Sequence, residues 1–344
     1  MKIDNTFGID AQCRELITYD SEQTLREALA RIHSVHKGLP LLHIGSGSNL
    51  LFLSDYNGIV LKSCIKGIRL LEETTDSVLV EVGSGETCDD FIAEAIRRGW
   101  YGMENLSLIP GQIGAAAVQN IGAYGVEACD VIDKVQGISL TDGTTHTWKC
   151  AECKYGYRQS IFKEELWGKY AITRVTFRLS RHFVPKLQYG GLMKAIEQAG
   201  LSDSTLTAEE LRQIIIGIRR AKLPDPAVQG NAGSFFKNPV VAQEKAEQLL
   251  SEYPDMPHYP AGEGWTKLAA GWLIEKAGWK GRSLGQAAVH DRQALVLVNK
   301  GGATGKDIQR LCEAVRKDVA TQFGIELSPE VNLIDNWTIG QSDN

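Results

Sequence analysis

A handful of short segments in this chain carry residue types that could do chemistry. The first, Gly45-Ser46-Gly47-Ser48-Asn49-Leu50-Leu51-Phe52, follows an apolar run and gathers glycines, serines and an asparagine into one turn. Glycines let backbone N–H groups approach an anion, and an Asn tolerates a strained turn or hydrogen-bonds to phosphate. On its own this loop suits an anion nest and a plain tight turn equally. The second segment, Ile109 to Gly125, is long, nearly uncharged and built from small residues. Such a stretch lets something large and flat lie against backbone that supplies the hydrogen bonds. A close helix–strand seam is the alternative, and the length and repeated glycine favour the ligand bed. Three polar clusters follow. Tyr155-Gly156-Tyr157-Arg158-Gln159-Ser160 sets an arginine beside tyrosines, Gly230 to Pro239 presents Ser234 on a glycine-flanked turn, and Ser328-Pro329-Glu330-Val331 puts a glutamate before a short strand. Individually these three are weak, since an Arg is usually a surface ion pair and a Glu is usually solvated.

Several familiar chemistries fail at the level of spacing. Two strand–GSG turns, Gly45-Ser46-Gly47 and Gly83-Ser84-Gly85, invite a dinucleotide fingerprint, but the third glycine position holds Leu50 in one and Cys88 in the other. A serine-hydrolase elbow around Ser234 would need glycines where Ala232 and Phe236 stand. Cys150 and Cys153 form a CxxC with His146 nearby, yet no second ligand pair follows at zinc spacing, so no metal site is expected.

The elements that must position these segments can be read from local signals. Ser21 with Thr24 opens an apolar-periodic run (Leu25, Leu29, Ile32, Val35) that stops at Gly38. A strand over 39–44 leads into the first glycine loop, and one over 78–82 leads into the second. Thr87 and Asp90 suit the N-cap and third position of a helix ending before Gly99. The stretch 99–125 lacks regular period. Strand-like runs follow at 138–140 and 170–179. Thr207 and Glu210 form a capping box for a helix with Leu211, Ile214, Ile215 and Ile218, which Pro224 and Pro226 end at a domain junction. The last third reads strand (294–299), then helix (307–323) stopped by Gly324. The whole is α+β in two or three units, the prior for 344 residues.

Bulk composition narrows the partners. Hydrophobic residues make up 43% and charged residues 23%, as in a globular protein with filled cores. A formal net charge of -5 gives no basic footprint for nucleic acid or an anionic membrane, so any phosphate must meet a local site. Met1 to Asp10 does not read as a signal peptide, and no stretch approaches the ~18 apolar residues of a membrane span. Cysteines scattered at 13, 64, 88, 129, 150, 153 and 312 suit reduced thiols in a cytoplasm.

Taken in order, the Gly45–Phe52 loop, the Pro110–Gly125 segment, YGYR, GNAGSFFKNP and the final PEV resemble the UDP-N-acetylenolpyruvoylglucosamine reductase family nearly end to end. The stretch Glu252 to Gly271, with Tyr259 and Lys267-Leu268-Ala269-Ala270-Gly271-Trp272, looks like the longer insertion of its type I form. One departure is Ser46, where the family commonly carries a third glycine; a Ser on the loop surface costs little sterically.

The resemblance implies a PCMH-type (vanillyl-alcohol-oxidase-like) FAD-binding fold of two lobes, 1–66 and 67–213, plus a C-terminal α+β substrate domain, 214–344, whose last residues return to the first lobe. FAD would lie on Gly45, Ser46, Gly47, Ser48, Asn49 and Leu50, and on Pro110, Gly111, Ile113, Gly114, Ala115, Gln119, Asn120, Gly122, Ala123, Tyr124 and Gly125. The implied reaction is NADPH-dependent reduction of an enolpyruvyl UDP-sugar to UDP-N-acetylmuramate for peptidoglycan, by a cytoplasmic monomer. Hydride delivery to the vinyl carbon pushes negative charge toward the substrate carboxylate, which calls for preorganised cationic and hydrogen-bonding groups. Arg158 is the expected clamp, Glu330 a helper if protonated, and Ser234 the proton donor, supported by Lys222 or Asn238. Tyr157, Tyr189, Arg219, Lys222, Asn238, Tyr259, Lys280 and Gln293 are expected around the UDP-sugar, with Tyr259 on a mobile lid. A carbohydrate oxidase on the same flavin fold is the rival; it often attaches FAD through a His or Cys, and neither glycine segment contains a His.

Overall fold

A computed structural model describes residues 1–189 and 191–335. The helix expected after Ser21 forms as α1 (Glu22–Val35), following β1 (Cys13–Tyr19). Ser21 Oγ accepts the Thr24 N–H at 3.2 Å while Thr24 Oγ1 accepts the Ser21 N–H at 3.1 Å, so two orphan donors of the first turn are satisfied locally. Leu25, Leu29 and Ile32 are buried, but Val35, which the period would also bury, is 69% exposed at the last residue of the helix. The chain then forms β2 (Leu41–Ile44), β3 (Leu50–Phe52) and β4 (Tyr56–Ser63), and β1, β4 and β2 pair in parallel with β4 in the centre.

The second lobe begins with β5 (Ile68–Glu73), β6 (Ser77–Gly83), α2 (Cys88–Arg97) and α3 (Ile113–Gln119). A short hairpin of β7 (Gly122–Ala123) and β8 (Val126–Glu127) precedes β9 (Ile132–Ser139), β10 (Thr145–Lys149) and β11 (Tyr170–Ser180). These build an antiparallel sheet ordered β10-β9-β11-β6-β5. Val80, Val82, Phe91, Val175 and Phe177 fill the core between that sheet and its helices, with Phe91 and Phe177 stacked at 5.3 Å.

Thr87 sits at the N-cap of α2, as its type suggests, yet its side chain caps nothing. The first-turn N–H of Cys88 is taken instead by the Gly111 carbonyl at 3.0 Å, and Asp89 Oδ1 accepts Leu108 N–H at 2.6 Å and Arg212 Nη1 at 2.5 Å. Burial works to raise the Asp89 carboxyl, but the Arg212 and Leu108 hydrogen bonds hold it below the usual carboxylate range. Tertiary contacts thus replace the local cap and fix the loop that leads into the glycine-rich segment.

Arg212 belongs to the helix that follows. After α4 (Leu192–Gln198), Thr207 and Glu210 form their capping box at the head of α5 (Ala208–Lys222). This helix runs straight through the expected boundary at 213/214; the chain leaves it at Leu223 and Pro224, where proline cannot continue the ladder.

The remainder supplies β12 (Asn231–Ser234), β13 (Val240–Ala242), α6 (Gln243–Glu252), β14 (His258–Pro260), β15 (Trp265–Leu268), α7 (Ala270–Lys276), β16 (Ser283–Leu284), β17 (Ala287–Val289), β18 (Val296–Asn299), α8 (Gly305–Phe323) and β19 (Asn332–Ile334). The sheet order is β12-β18-β17-β16, with β13-β15-β14 as a small separate sheet. Finally β19 pairs in parallel with β3, Asn332 opposite Leu50, so the C-terminal part closes on the first lobe. Residues 336–344 of the expected last domain lie outside the described residues. One apolar core, including Phe7, Phe52, Phe235, Phe236, Leu311 and Val315, spans the first lobe and the C-terminal unit. Gly230 is required at that seam, because a Cβ there would stand 2.1 Å from the Phe7 carbonyl oxygen. Among the described residues no helix is long and apolar enough to cross a membrane.

Candidate active site

A cavity of about 790 Å³ opens between the lobes and the C-terminal unit, in the size range of sites that hold a cofactor and a small molecule. The loop leaving β2 forms one side. Its Gly47 has φ +72, and a Cβ there would lie 2.5 Å from the Asp4 carbonyl oxygen, because the N-terminal segment crosses at that point. The segment around Gly111 (φ +128) faces it closely: a Cβ on Gly111 would touch Ser48 Oγ at 3.0 Å, and one on Gly45 would meet Ala115 Cβ at 3.3 Å. Side chains at Gly45 and Gly111 would fill the space between the two segments, whereas one at Gly47 would strike the N-terminal segment.

The expected bed is less irregular than its composition suggests. Ile113 to Gln119 is the helix α3, and Asn120 caps it in the left-handed region with φ +46. Ile113 is fully buried in the second lobe's core and does not line the cavity. Asn120 is also fully buried: its Nδ2 donates to Glu127 Oε2 and the Gly156 carbonyl, and its Oδ1 accepts Cys129 N–H. The side chains of these two residues pack beneath the bed. Gly45, Ser46, Gly47, Ser48, Asn49, Leu50, Pro110, Gly111, Gly114, Ala115, Gln119, Gly122, Ala123, Tyr124 and Gly125 do line the cavity. The second GSG turn is a packing seam, for Gly114 N–H donates to the Ser84 carbonyl at 2.9 Å and a Cβ on Gly114 would stand 2.8 Å from Ser84 Cβ.

Gln112, not anticipated as a site residue, supplies a direct test of fit. Its Nε2 donates to the carbonyls of Gly85 and Ser63 at 3.1 and 3.4 Å, while its buried Oε1 has no hydrogen-bond partner. A buried acceptor left unpaired costs about 1–3 kcal/mol, and a ligand N–H or O–H on the bed would satisfy it. The glycine approaches and this orphan acceptor fit a flat, hydrogen-bonding cofactor.

Arg158, Ser234 and Glu330 line the same cavity, with Arg158 paired to Glu330. Phe236 bridges to Pro329, Glu330 N–H donates to the Phe235 carbonyl at 2.7 Å, and Lys237 N–H donates to the Ser328 carbonyl at 2.9 Å. This short pairing sets the serine turn beside the PEV segment. Asn49 Nδ2 reaches the Glu330 carbonyl at 3.2 Å, so the expected phosphate-binding amide also ties the glycine loop to that segment.

Arg158 sits in the left-handed region with φ +57, at the tip of a turn closed by Gly156 and Gln159. Its Nε pairs with Glu330 Oε1 at 2.7 Å, Nη2 donates to the Gly122 carbonyl at 2.6 Å, and Nη1 approaches the Asn120 carbonyl at 3.5 Å. The expected neutral helper, Glu330, is thus the ion-pair partner of the arginine. Two of the five guanidinium N–H bonds remain for a ligand.

Around this centre the cavity is lined by Tyr157, Tyr189, Arg219, Lys222, Asn238, Tyr259 and Gln293. Tyr189 stands edge-on to Tyr124 at 5.5 Å. The Arg219 Nε is buried without a partner. Asn238 Oδ1 accepts Ala270 N–H at 3.0 Å, and Gln293 Oε1 accepts Leu295 N–H at 3.3 Å. Burial pushes the Tyr157 phenol up, against the opposing charge of Arg158. Lys280 is not brought to the cavity: it lies beyond α7, with its Nζ on Glu275 Oε1 at 2.9 Å. Lys267, not singled out in the sequence as a site residue, does line the cavity, with its ammonium 4.8 Å from the Tyr157 ring and 6.0 Å from the Tyr259 ring. The alternation of β15 puts that lysine on the cavity side, a signal too short to read without its partners.

Comparison with known proteins agrees with this geometry. Residues 15–150 match an FAD binding domain, and residues 225–334 match the C-terminal domain of UDP-N-acetylenolpyruvoylglucosamine reductase. A UDP-N-acetylenolpyruvoylglucosamine reductase of Bacteroides fragilis is 49% identical over 96% of this chain and 97% of its own length. One from Pseudomonas aeruginosa is also 49% identical, over 96% of each chain. The crystal structure of a UDP-N-acetylenolpyruvylglucosamine reductase from Thermus caldophilus superposes with a TM-score of 0.66 over 96% of this chain and 95% of that one, at 23% identity, which supports the fold. The α+β, PCMH-type flavin-binding fold with its C-terminal unit therefore holds, and the chain belongs to the UDP-N-acetylenolpyruvoylglucosamine reductase family, FAD-dependent oxidoreductases.

Proposed function

We propose that this reductase uses NADPH to convert UDP-N-acetylglucosamine enolpyruvate to UDP-N-acetylmuramate, a peptidoglycan precursor, as a cytoplasmic monomer. The observation that carries the reading is that the Arg158–Glu330 pair and Ser234 line the same cavity as a glycine bed that fits FAD. When bound, the flavin supplies a hydride acceptor for NADPH and a hydride donor for the sugar.

The chain's own residues do the rest. Glu330 and the Gly122 carbonyl fix the Arg158 guanidinium, leaving its remaining N–H bonds for the substrate carboxylate as charge develops there. Ser234 donates a proton to the carbon beside that carboxylate. A hydroxyl is a weak acid, and Asn238 and Lys222 lie on the same cavity to support it. Arg219, Lys222 and Lys267 offer cations to the UDP pyrophosphate, and Tyr259, 40% exposed on β14, covers the nucleotide.

The test is the visible spectrum of the purified protein under anaerobic conditions. The reading expects a yellow flavin spectrum that bleaches with NADPH and returns with the enolpyruvyl UDP-sugar. A flavin restored only by oxygen would indicate a carbohydrate oxidase, and a protein that holds no FAD would overturn the reading.

A further inference from the structure

Lys163 has no place in the reading above, yet it contacts the Arg158 backbone directly. It ends a 3-10 turn, Ile161–Lys163, that follows the YGYR turn. Its Nζ donates to Gln119 Oε1 at 2.8 Å and to the Arg158 carbonyl at 3.1 Å. Gln119 is the last residue of α3 and lines the flavin bed, while Arg158 occupies a left-handed backbone conformation that a non-glycine residue holds only under constraint. One ammonium therefore joins the end of the bed helix to the strained peptide that carries the arginine.

We propose that Lys163 is a positioning residue: by holding the Arg158 carbonyl and the Gln119 amide together, it keeps the guanidinium in register with the cofactor. This inference rests on the reading of Arg158 as the group that meets the substrate carboxylate. The surroundings of Lys163 make its charge a working part of the arrangement. Burial, then the nearby Lys237, pushes the ammonium down to about 8; Arg158 adds to that push, while Glu330 and Glu164 oppose it. Below that pH both contacts are charge-assisted, and above it the neutral amine holds the same oxygens more weakly. The fall of the sugar half-reaction on the alkaline side is the result.

Flavin reduction by NADPH and reoxidation by the enolpyruvyl UDP-sugar are measured separately by stopped flow, from pH 6 to 10, on the FAD-loaded protein. Lys163→Met is expected to slow reoxidation by about ten- to a hundredfold, the scale of an ångström-level misplacement, mostly in kcat rather than KM. Flavin reduction stays near the parent rate. Lys163→Arg is expected to recover most of the reoxidation rate and to lose the fall near pH 8, because a guanidinium does not titrate there. Reoxidation by Lys163→Met at the parent rate overturns the inference. So does an unchanged alkaline fall in Lys163→Arg, which decides the matter alone if the Met variant does not fold. Arg158→Lys is run beside them. If that variant turns over normally, the role of Arg158 itself fails; if it is slow while Lys163→Met is normal, only the role of Lys163 fails.

Discussion

Gly47→Ala tests whether the first glycine loop is held by the crossing N-terminal segment. An alanine at φ +72 carries a left-handed penalty of about 1–2 kcal/mol. Its Cβ would also stand 2.5 Å from the Asp4 carbonyl oxygen and 2.9 Å from Asn5 Cα, both backbone atoms that cannot turn aside. The segment is pinned there by the Thr6 N–H on the Gly47 carbonyl at 3.1 Å. Forcing these atoms apart costs about 1–3 kcal/mol more. The sum is roughly 2–5 kcal/mol, a fall in Tm on the order of 3–7 °C for a chain this size. Part of the strain is relieved by shifting the loop off Gly111, so FAD binding weakens by about tenfold for each 1.4 kcal/mol released that way. Gly38→Ala is the control, since Gly38 has φ +85 with nothing within 4 Å of where an alanine methyl would stand, and it carries the backbone penalty alone. Thermal melting and FAD titration of the apoprotein compare the two. If Gly47→Ala melts with Gly38→Ala and binds FAD as the parent does, the crossing contact has been misjudged.

Other consequences are equally direct. Arg158→Lys cannot serve Glu330, the Gly122 carbonyl and a carboxylate at once; loss of about 2.7–4 kcal/mol of preorganised stabilisation should slow reoxidation by 10²–10³ in stopped flow. Ser234→Ala should leave flavin reduction by NADPH intact and slow reoxidation by the sugar, and an equal fall in both half-reactions would remove Ser234 as proton donor. Burial pushes the His43 imidazole down to about 4, so the unfolded chain binds a proton that the folded one refuses between roughly pH 6.5 and 4. Stability should therefore drop across that window as pH falls, by up to about 3 kcal/mol, with a shallower slope in His43→Asn under urea unfolding. Arg212→Met leaves Asp89 half-buried without its bidentate partner and should cost about 3 kcal/mol in the same assay.

Elements whose signals are local were legible in the sequence. The capping boxes at Ser21 and Thr207 each join residues three apart, and each helix starts where its box stands; the box at Thr304 was not read, and α8 starts at Gly305 rather than at 307. Elements defined by distant partners were not. Ile113 to Gln119 shows no amphipathic stripe because α3 is walled by the second lobe on one side and the cavity on the other, so small residues serve both faces. Thr87 looks like a cap, but the Gly111 carbonyl had already satisfied the helix start. At the site, residue types alone suggested Arg158, Ser234 and Glu330 only weakly, and family resemblance placed them together. Neither source revealed that Arg158 and Glu330 face each other, that Lys280 turns to Glu275, or that Lys163, Lys267 and Gln112 matter.

The pairing of β19 with β3 also orders events during synthesis. The glycine loop and β3 leave the ribosome early, while Glu330 and β19 emerge only after nearly all the other described residues. Until then β3 has an open edge, Asn49 has no Glu330 carbonyl to hold, and Arg158 has no counter-ion. The second lobe has a core of its own, whereas the Arg158–Glu330 pair waits on the late segment. The stitch made by β19, the last strand among the described residues, thus comes late: Arg158 meets Glu330 only after the chain has been made past residue 330.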